Sequence, residues 1–296
     1  MNLKKKFEIL TYNIGFIIKG IDAVMQDGIS KGDIIWLNHP YKDRFFADPF
    51  LLDSDDTFLY VLCEEYFFWE EKGKITLLKI RKQDFSLVER KVVIEEKTHL
   101  SFPFCKYGGN TITPEASASD KCVTYTIDRT HKNVVSKETI LEEGTIDAVL
   151  YNNSDGDWML TGKKKIPSTE LYIYKKNSED KYIPCGEQPV LSDNRHARGA
   201  GDFFMWKGKL YRPVQDCKGR YGRQTKIMEI MEIGENRYCT KEHITLNSFD
   251  NPPYNETMHT FNVYENCILV DGSKDVLRFP MKIFYKKCRF LFRKKK

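Results

Sequence analysis

The stretch "HLSFPFCKYGGNTITPEAS", residues 99–117, reads as a β-hairpin: an aromatic-rich strand, a Gly-Gly-Asn break, and a second strand ending in Pro114-Glu115. Proline restricts the backbone just before the carboxylate. The acid is thereby presented from a rigid strand rather than a mobile loop. The same order of strand, short polar turn, second strand, then an acid or Gly recurs along the chain. It is found in "ADPFLLDSDDTFLYVLCEE" (Ala47–Glu65), Phe102–Ala116, Ile146–Gly162, Gly199–Asp216 and His259–Gly272. The starts recur about every 45 to 60 residues, comparable with the ~40–50 residues of a propeller blade.

Between these hairpins lie further strand-like segments, Lys74–Ile80, Glu89–Ile94, Glu170–Lys176 and Gln224–Ile233. Their apolar–polar alternation suits half-buried outer strands. Four strands per unit, repeated five times, predicts an all-β chain folded as a five-bladed β-propeller. The reading assigns residues 1–285 to one propeller and 286–296 to a basic tail. Only Gly20–Ser30 has the pattern of a short helix. A β-sandwich with irregular hairpins is the competing arrangement, but it gives no reason for five similar units.

Composition agrees. The 296 residues are 41% apolar and 13% aromatic, enough for a sizeable core. The net charge of +5 gathers at the ends, in Lys4–Lys6 and in Lys286–Lys296, so the near-neutral body gives no nucleic-acid footprint. No run reaches the ~18 apolar residues of a membrane span. The first twenty residues faintly resemble a secretory signal, but Glu8 and Asn13 interrupt the run, and they are read as mature protein. The eight cysteines form no C-x-x-C pair and no finger spacing. Cys63, Cys105 and Cys122 read as buried free thiols, which fits a reducing, cytoplasmic setting. No metal and no cofactor is expected.

A propeller brings equivalent ends of its inner strands to one mouth. Polar residues recurring in phase there are site candidates: Asp48, His99, Glu115, Asp147, Arg198, Arg212, Asp216 and His259. Each also has a structural reading. Asp48 precedes Pro49 and suits a turn. Arg212 and Asp216 suit an ion pair pinning one blade. The histidines suit satisfied core positions. Grouped carboxylates suit glycosyl chemistry, in which one acid protonates the leaving oxygen and another activates water or attacks the sugar. Phe46, Trp158, Phe203, Trp206 and Tyr211 are candidates for stacking on sugar rings, although most aromatics must be core.

The segments "FFADPFLL", "HLSFPF", "TPEAS", "IDAVLY", "HARGAG", "LYRPVQD" with "YGRQ", and "HTFN" together resemble the N-terminal domain of glucosamine inositolphosphorylceramide transferases. They run from about Phe45 to Asn262. The resemblance implies a five-bladed propeller similar to family-43 glycoside hydrolases. It implies that Asp48 holds the position of the base and Asp147 that of the acid tuning the proton donor. The donor Glu of that pattern is absent, and Arg198 stands where it is expected; Glu115 is the substitute acid. An Arg suits an anionic group such as a sugar phosphate.

The expected function is therefore a carbohydrate-active propeller, glycosidase-like or glycosyl-transferring, in cell-surface glycan or glycolipid assembly. Asp48, Glu115 and Asp147 would be catalytic; His99, Arg198, Arg212, Asp216 and His259 would hold a carbohydrate or sugar-phosphate ligand. The alternative is a non-catalytic glycan-binding propeller supporting a partner glycosyltransferase. The tail interleaves basic residues with Phe284, Phe290, Leu291 and Phe292, a pattern suited either to peripheral contact with the inner membrane surface or to a solvated end.

Overall fold

A computed structural model describes residues 8–116, 118–130, 132–164, 169–235, 237–265 and 267–277. The chain opens with β1 (Glu8–Ile17), the short helix α1 (Ile21–Asp27) and β2 (Ile34–Trp36). Four meanders follow. Blade 1 is β3 (Arg44–Ser54), β4 (Phe58–Phe67), β5 (Lys72–Arg81) and β6 (Leu87–Ile94). Blade 2 is β7 (Leu100–Phe104), β8 (Thr111–Ala116), β9 (Cys122–Ile127) and β10 (Val134–Leu141). Blade 3 is β11 (Thr145–Asn153), β12 (Gly156–Lys163), β13 (Glu170–Lys176) and β14 (Tyr182–Pro184), with β15 (Leu191–Ser192) also paired to β13. Blade 4 is β16 (Phe204–Trp206), β17 (Lys209–Asp216), β18 (Gln224–Gly234) and β19 (Arg237–Leu246). The described residues end in β20 (Phe261–Tyr264) and β21 (Cys267–Leu277).

The fifth blade is a composite, in the order β2-β1-β21-β20. Strand β1 runs antiparallel to β21 from Glu8↔Leu277 to Ile17↔Ile268. Hydrogen bonds between β1 and β21 thus close the ring, which is a five-bladed β-propeller. The basic residues Lys4–Lys6 and the tail 286–296 lie outside the described residues. Among the described residues, no helix is long and apolar enough to cross a membrane.

Blades bury both faces against their neighbours. On β12, Trp158 and Leu160 join one apolar cluster with Phe50, Phe102 and Ile112. Met159 between them joins another, with Cys122, Ile140 and Tyr174. This is the two-residue pleat at work: alternate side chains serve opposite seams. A fully buried Phe or Leu contributes about 1.5–3 kcal/mol. Helix α1 turns Val24 and Met25 into the seam between blades 4 and 5, beside Phe204, Phe261 and Ile268. Cys63, Cys105 and Cys122 are buried free thiols.

One local irregularity positions the site. In β3, Ala47 pairs with Glu64 but Phe50 with Leu62, so the inner strand carries an extra residue. The same offset occurs between Ser101↔Glu115 and Phe104↔Thr113, and between Ile146↔Gly162 and Val149↔Leu160. These are β-bulges at equivalent places in three blades. Each contains a residue in the left-handed region: Asp48 (φ 52°), Phe102 (φ 43°) and Asp147 (φ 45°). Such a conformation costs on the order of 1–3 kcal/mol and needs outside support.

Candidate functional site

The support comes from carboxylates on neighbouring blades. Each bulge leaves a backbone N–H without a ladder partner. That of Asp48 donates to Asp271 Oδ2 (3.1 Å), that of Phe102 to Asp48 Oδ2 (3.0 Å), and that of Asp147 to Glu115 Oε2 (3.2 Å). A chain of acids therefore steps from blade 5 to 1, 1 to 2, and 2 to 3. The seam between blades 4 and 5 uses a neutral analogue: the Asp202 N–H donates to Asn262 Oδ1 (2.7 Å).

Five acids meet as a result. Asp48, Glu64, Glu115, Asp147 and Asp271 are all buried. Their charges act on one another: Glu64 is pushed well above the usual carboxylate range by burial and then by Asp48, Glu115, Asp271 and Asp147. Glu115 is raised to about 8 by burial and by Asp147, with Arg198 opposing. Asp48 is raised by burial, with His259 opposing and Asp271 and Asp147 reinforcing. Asp271 goes the other way. Burial works against its charge, but His259 and the N–H donors of Asp48 and His259 outweigh it.

Two cations answer this charge. Arg198 Nε lies 2.5 Å from Asp147 Oδ2, its Nη2 lies 3.8 Å from Glu115 Oε2, and its guanidinium sits 4.8 Å over the Tyr221 ring. Gln215 Nε2 adds a second donor to Asp147 Oδ2, at 2.9 Å. His259 Nδ1 is 2.6 Å from Asp271 Oδ2, and Nε2 is 3.9 Å from Asp48 Oδ1. Burial opposes a charge on this ring, yet Asp271 and Asp48 outweigh it and raise His259 to about 9. Tyr12 stacks on the imidazole at 4.7 Å and Tyr221 meets it edge-on at 5.5 Å. Tyr221 is itself 42% exposed, whereas the five acids are buried.

Of the residues singled out from the sequence, Asp48, Glu115, Asp147, Arg198 and His259 come together here. His99 stands at the edge. Its Nδ1 accepts the Gly73 N–H (2.9 Å), which leaves Nε2 protonated and 3.4 Å from Glu64 Oε1. Arg212 and Asp216 are placed elsewhere. Arg212 donates to the carbonyls of His196 and Ala197 and to Tyr238 Oη. Asp216 accepts from the Lys218 N–H and from Gln224. Strand β17 turns Gln215, between them, toward Asp147. Phe46, Trp158, Phe203 and Tyr211 are buried core, and Trp206 Nε1 donates to Asp22 Oδ1.

Glu64, Asp271, Thr260, Gln215, Tyr12 and Tyr221 were not anticipated. A signal existed for two of them. Glu64 and Asp271 close the first and fifth hairpins as Glu115 closes the second. Glu64 was hidden in a doublet whose second member, Glu65, turns away to bind Arg44, Arg90 and Thr76.

Asp48, His259 and Asp271 offer ligand atoms within 4.8 Å of one another, a set that could hold a metal. Its donors are already engaged. Asp271 Oδ1 accepts the N–H groups of His259 and Thr260, and Thr260 Oγ1 lies 3.0 Å from both Asp48 Oδ1 and Asp271 Oδ2. Asp48 and Asp271 thus already accept donors of the chain, and His259 pairs with Asp271.

The fold and the acid cluster define a five-bladed propeller in which carboxylates from the first and second strands of four blades converge. The chain belongs to the family described as glucosamine inositolphosphorylceramide transferase 1, N-terminal, whose model matches residues 36–253. Asp48, Glu64, Glu115, Asp147 and Arg198 fall inside that match; His259 and Asp271 fall beyond it. Glucosamine inositolphosphorylceramide transferase 1 of Oryza sativa subsp. japonica is 28% identical over 213 residues, 67% of this chain and 28% of the relative. The Arabidopsis thaliana protein of that name is 25% identical over 217 residues, 68% of this chain and 27% of the relative. The match thus spans little more than a quarter of those proteins. Among solved structures, a GH43 glycoside hydrolase engineered for endo-xylanase and exo-arabinofuranosidase activity superposes with a TM-score of 0.47 at 9% identity, over 82% of this chain and 54% of that one.

Proposed function

We propose that the acid cluster acts on a carbohydrate in glycan or glycolipid assembly, by acid–base chemistry at a glycosyl bond. The observation that carries this reading is the convergence of five buried carboxyls whose surroundings push their protonation in opposite directions. Near neutral pH, Glu115 retains its proton, whereas Asp271 is held ionised. Environments that push neighbouring carboxyls apart are how acid and base roles are assigned at one pH. Glu115 is the proton donor to the leaving oxygen, and Asp48 is the second carboxylate of the pair. Arg198 is ion-paired with Asp147 and approaches Glu115, so its role is positioning rather than capture of an anionic ligand. His99, at the edge of the cluster, is the residue that meets the sugar, with Glu64 behind it.

A second reading is a binding propeller that serves a partner glycosyltransferase. It is favoured by the hydrogen bonds already made by Asp48, both of whose oxygens face protein donors. Glu115→Gln separates the two. The amide oxygen still accepts the Asp147 N–H, but the side chain cannot deliver a proton. If the site is catalytic, turnover of glycosides or activated sugars falls by about 10²-fold or more while glycan affinity, read on an array, changes less than about tenfold. Unchanged turnover removes Glu115 from the chemistry. Binding without turnover in the parent protein establishes the second reading.

A further inference from the structure

Strands β17 and β18 are joined by residues 217–223, a strap that leaves blade 4 and crosses to blade 5. Arg220 makes the crossing: Nη1 pairs with Glu256 Oε2 and Nη2 with Asp275 Oδ1, each at 2.8 Å. The next residue, Tyr221, lies on the acid cluster. Its ring covers the Arg198 guanidinium at 4.8 Å and meets His259 edge-on at 5.5 Å. One side of Tyr221 is in solvent, whereas none of the five acids is more than 8% exposed. The other side lies in their field: burial, opposed by Arg198 and reinforced by Asp147 and Asp48, pushes the phenol well above the usual tyrosine range.

Two features give this strap the build of a lid. The first is a pair of hinges. Gly219 (φ +80°) and Gly222 (φ +56°) flank Arg220 and Tyr221, and both stand in the left-handed region that glycine enters and leaves without steric cost. The second is the way the strap is held. Its base is bonded firmly back to blade 4: the Cys217 N–H donates to Asn194 O, the Lys218 N–H to Asp216 Oδ1 and the Arg223 N–H to Asp216 O. Its tip is held by the Met258 N–H, which donates to Gly222 O, and by Arg220. Among the described residues, Arg220 is the only strap side chain ion-paired with a carboxylate, and the three partners are 33–41% exposed. Exposed pairs of this kind are weak and are screened by salt. The bulged strands under the strap are instead tied blade to blade by the buried carboxylates.

We propose that residues 217–223 form a lid on the acid cluster, latched shut by Arg220 and opened when Arg220 lets go of blade 5, with Tyr221 as the side chain that is lifted away. The inference rests on the reading of the cluster as a site that acts on a ligand, and adds how that site is reached. Acids so deeply buried offer little to a ligand until something moves, and the strap is the neighbouring segment with hinges and an exposed latch. Lifting Tyr221 bares the guanidinium that lies 2.5 Å from Asp147 and 3.8 Å from Glu115. Closing it again shields the carboxyls from water, as lids do over other reacting groups.

Hydrogen exchange read by mass spectrometry tests the lid on the full chain. It needs no ligand, so its outcome is separate from whether Glu115 delivers a proton. We expect the amides of the strap and of Met258 to exchange at least tenfold faster in Arg220→Gln, with those of β17 and β18 unchanged. Glu256→Gln with Asp275→Asn, which removes the latch from the other side, has the same effect. So does about 1 M NaCl on the unaltered protein, where screening acts within ~3 Å. Reaction of His259 with diethylpyrocarbonate rises at least tenfold under each condition, and also in Tyr221→Ala with the latch intact, while His243 on β19 keeps its rate. Strap exchange indifferent to all three unlatching conditions, strap amides that open only together with those of β17 and β18, or a His259 no more reactive in Tyr221→Ala overturns the proposal.

Discussion

The carboxylate of Asp48 accepts the backbone N–H of Phe102 at 3.0 Å, across the seam between the first two blades. The residue proposed to act on a ligand therefore also fastens its own blade to the next. Asp48→Asn removes charge and one of the two acceptor oxygens. We expect a loss of about 1–2 kcal/mol of stability in the absence of any ligand, seen as a lower urea midpoint with an unchanged slope. A variant as stable as the parent would mean that the Asp48 contact contributes nothing to the seam.

Asp271 is the more heavily used latch. It is fully buried, accepts from Asp48, His259 and Thr260, and pairs with the His259 ring. Asp271→Ala strands these donors and an uncompensated imidazolium. The expected cost is about 3–5 kcal/mol, as for a buried ion pair broken from one side. Chemical denaturation checks it, and a loss below about 1 kcal/mol would exclude the latch.

Gly222 adopts φ +56°, and a Cβ there would lie 2.6 Å from His259 Cβ. Gly222→Ala forces a left-handed conformation on a residue that resists it and displaces His259 from Asp271. The imidazole should then titrate well below its native value of about 9. NMR titration of His259 reads this directly; a pKa still near 9 contradicts the arrangement.

Stability should fall as pH rises through neutrality. Glu115 is raised from 4.5 to about 8 in the folded chain, so its contribution is full below about 4.5 and lost as pH approaches 8. His259 is raised from 6.5 to about 9, so its contribution is full below 6.5 and lost as pH approaches 9. In both cases the folded state binds the extra proton, and the slopes add between about 6.5 and 8. Melting temperatures measured across pH 6–9 should decline, and Glu115→Gln should flatten the lower part of that decline. A rising profile in the parent would reverse the assigned directions.

Much of the fold was legible because hairpins are local. The repeated strand–turn–strand units of Ala47–Glu65, Phe102–Ala116 and Ile146–Gly162 contain the first two strands of blades 1 to 3, and Gly20–Ser30 contains α1. The make-up of the fifth blade was not legible, since β1 finds its partner β21 more than 250 residues away and no local pattern records that pairing. In the site, Asp48 and Asp147 were found because they share a phase within the repeat. Arg212 and Asp216 share that phase only by counting. Strand parity decides which side chain turns inward, and a shift of one residue exchanges the faces. Gln215 therefore takes the place facing Asp147. Glu64 was missed for the same reason: only the bulge at Asp48 makes it the counterpart of Glu115.

The clasp between β1 and β21 also sets an order of events during synthesis. Residues 8–17 are translated well before the strand they must join, which follows some 250 residues later, on the order of 10–50 s at ordinary elongation rates. Ile14 and Phe16 can pack against blade 1 in that interval, but Ile17, which packs with Ile268 and Val270 of β21, waits for its partners. Closure of the ring is thus timed by the translation of β21, and until then the nascent chain carries an unpaired strand that needs shelter.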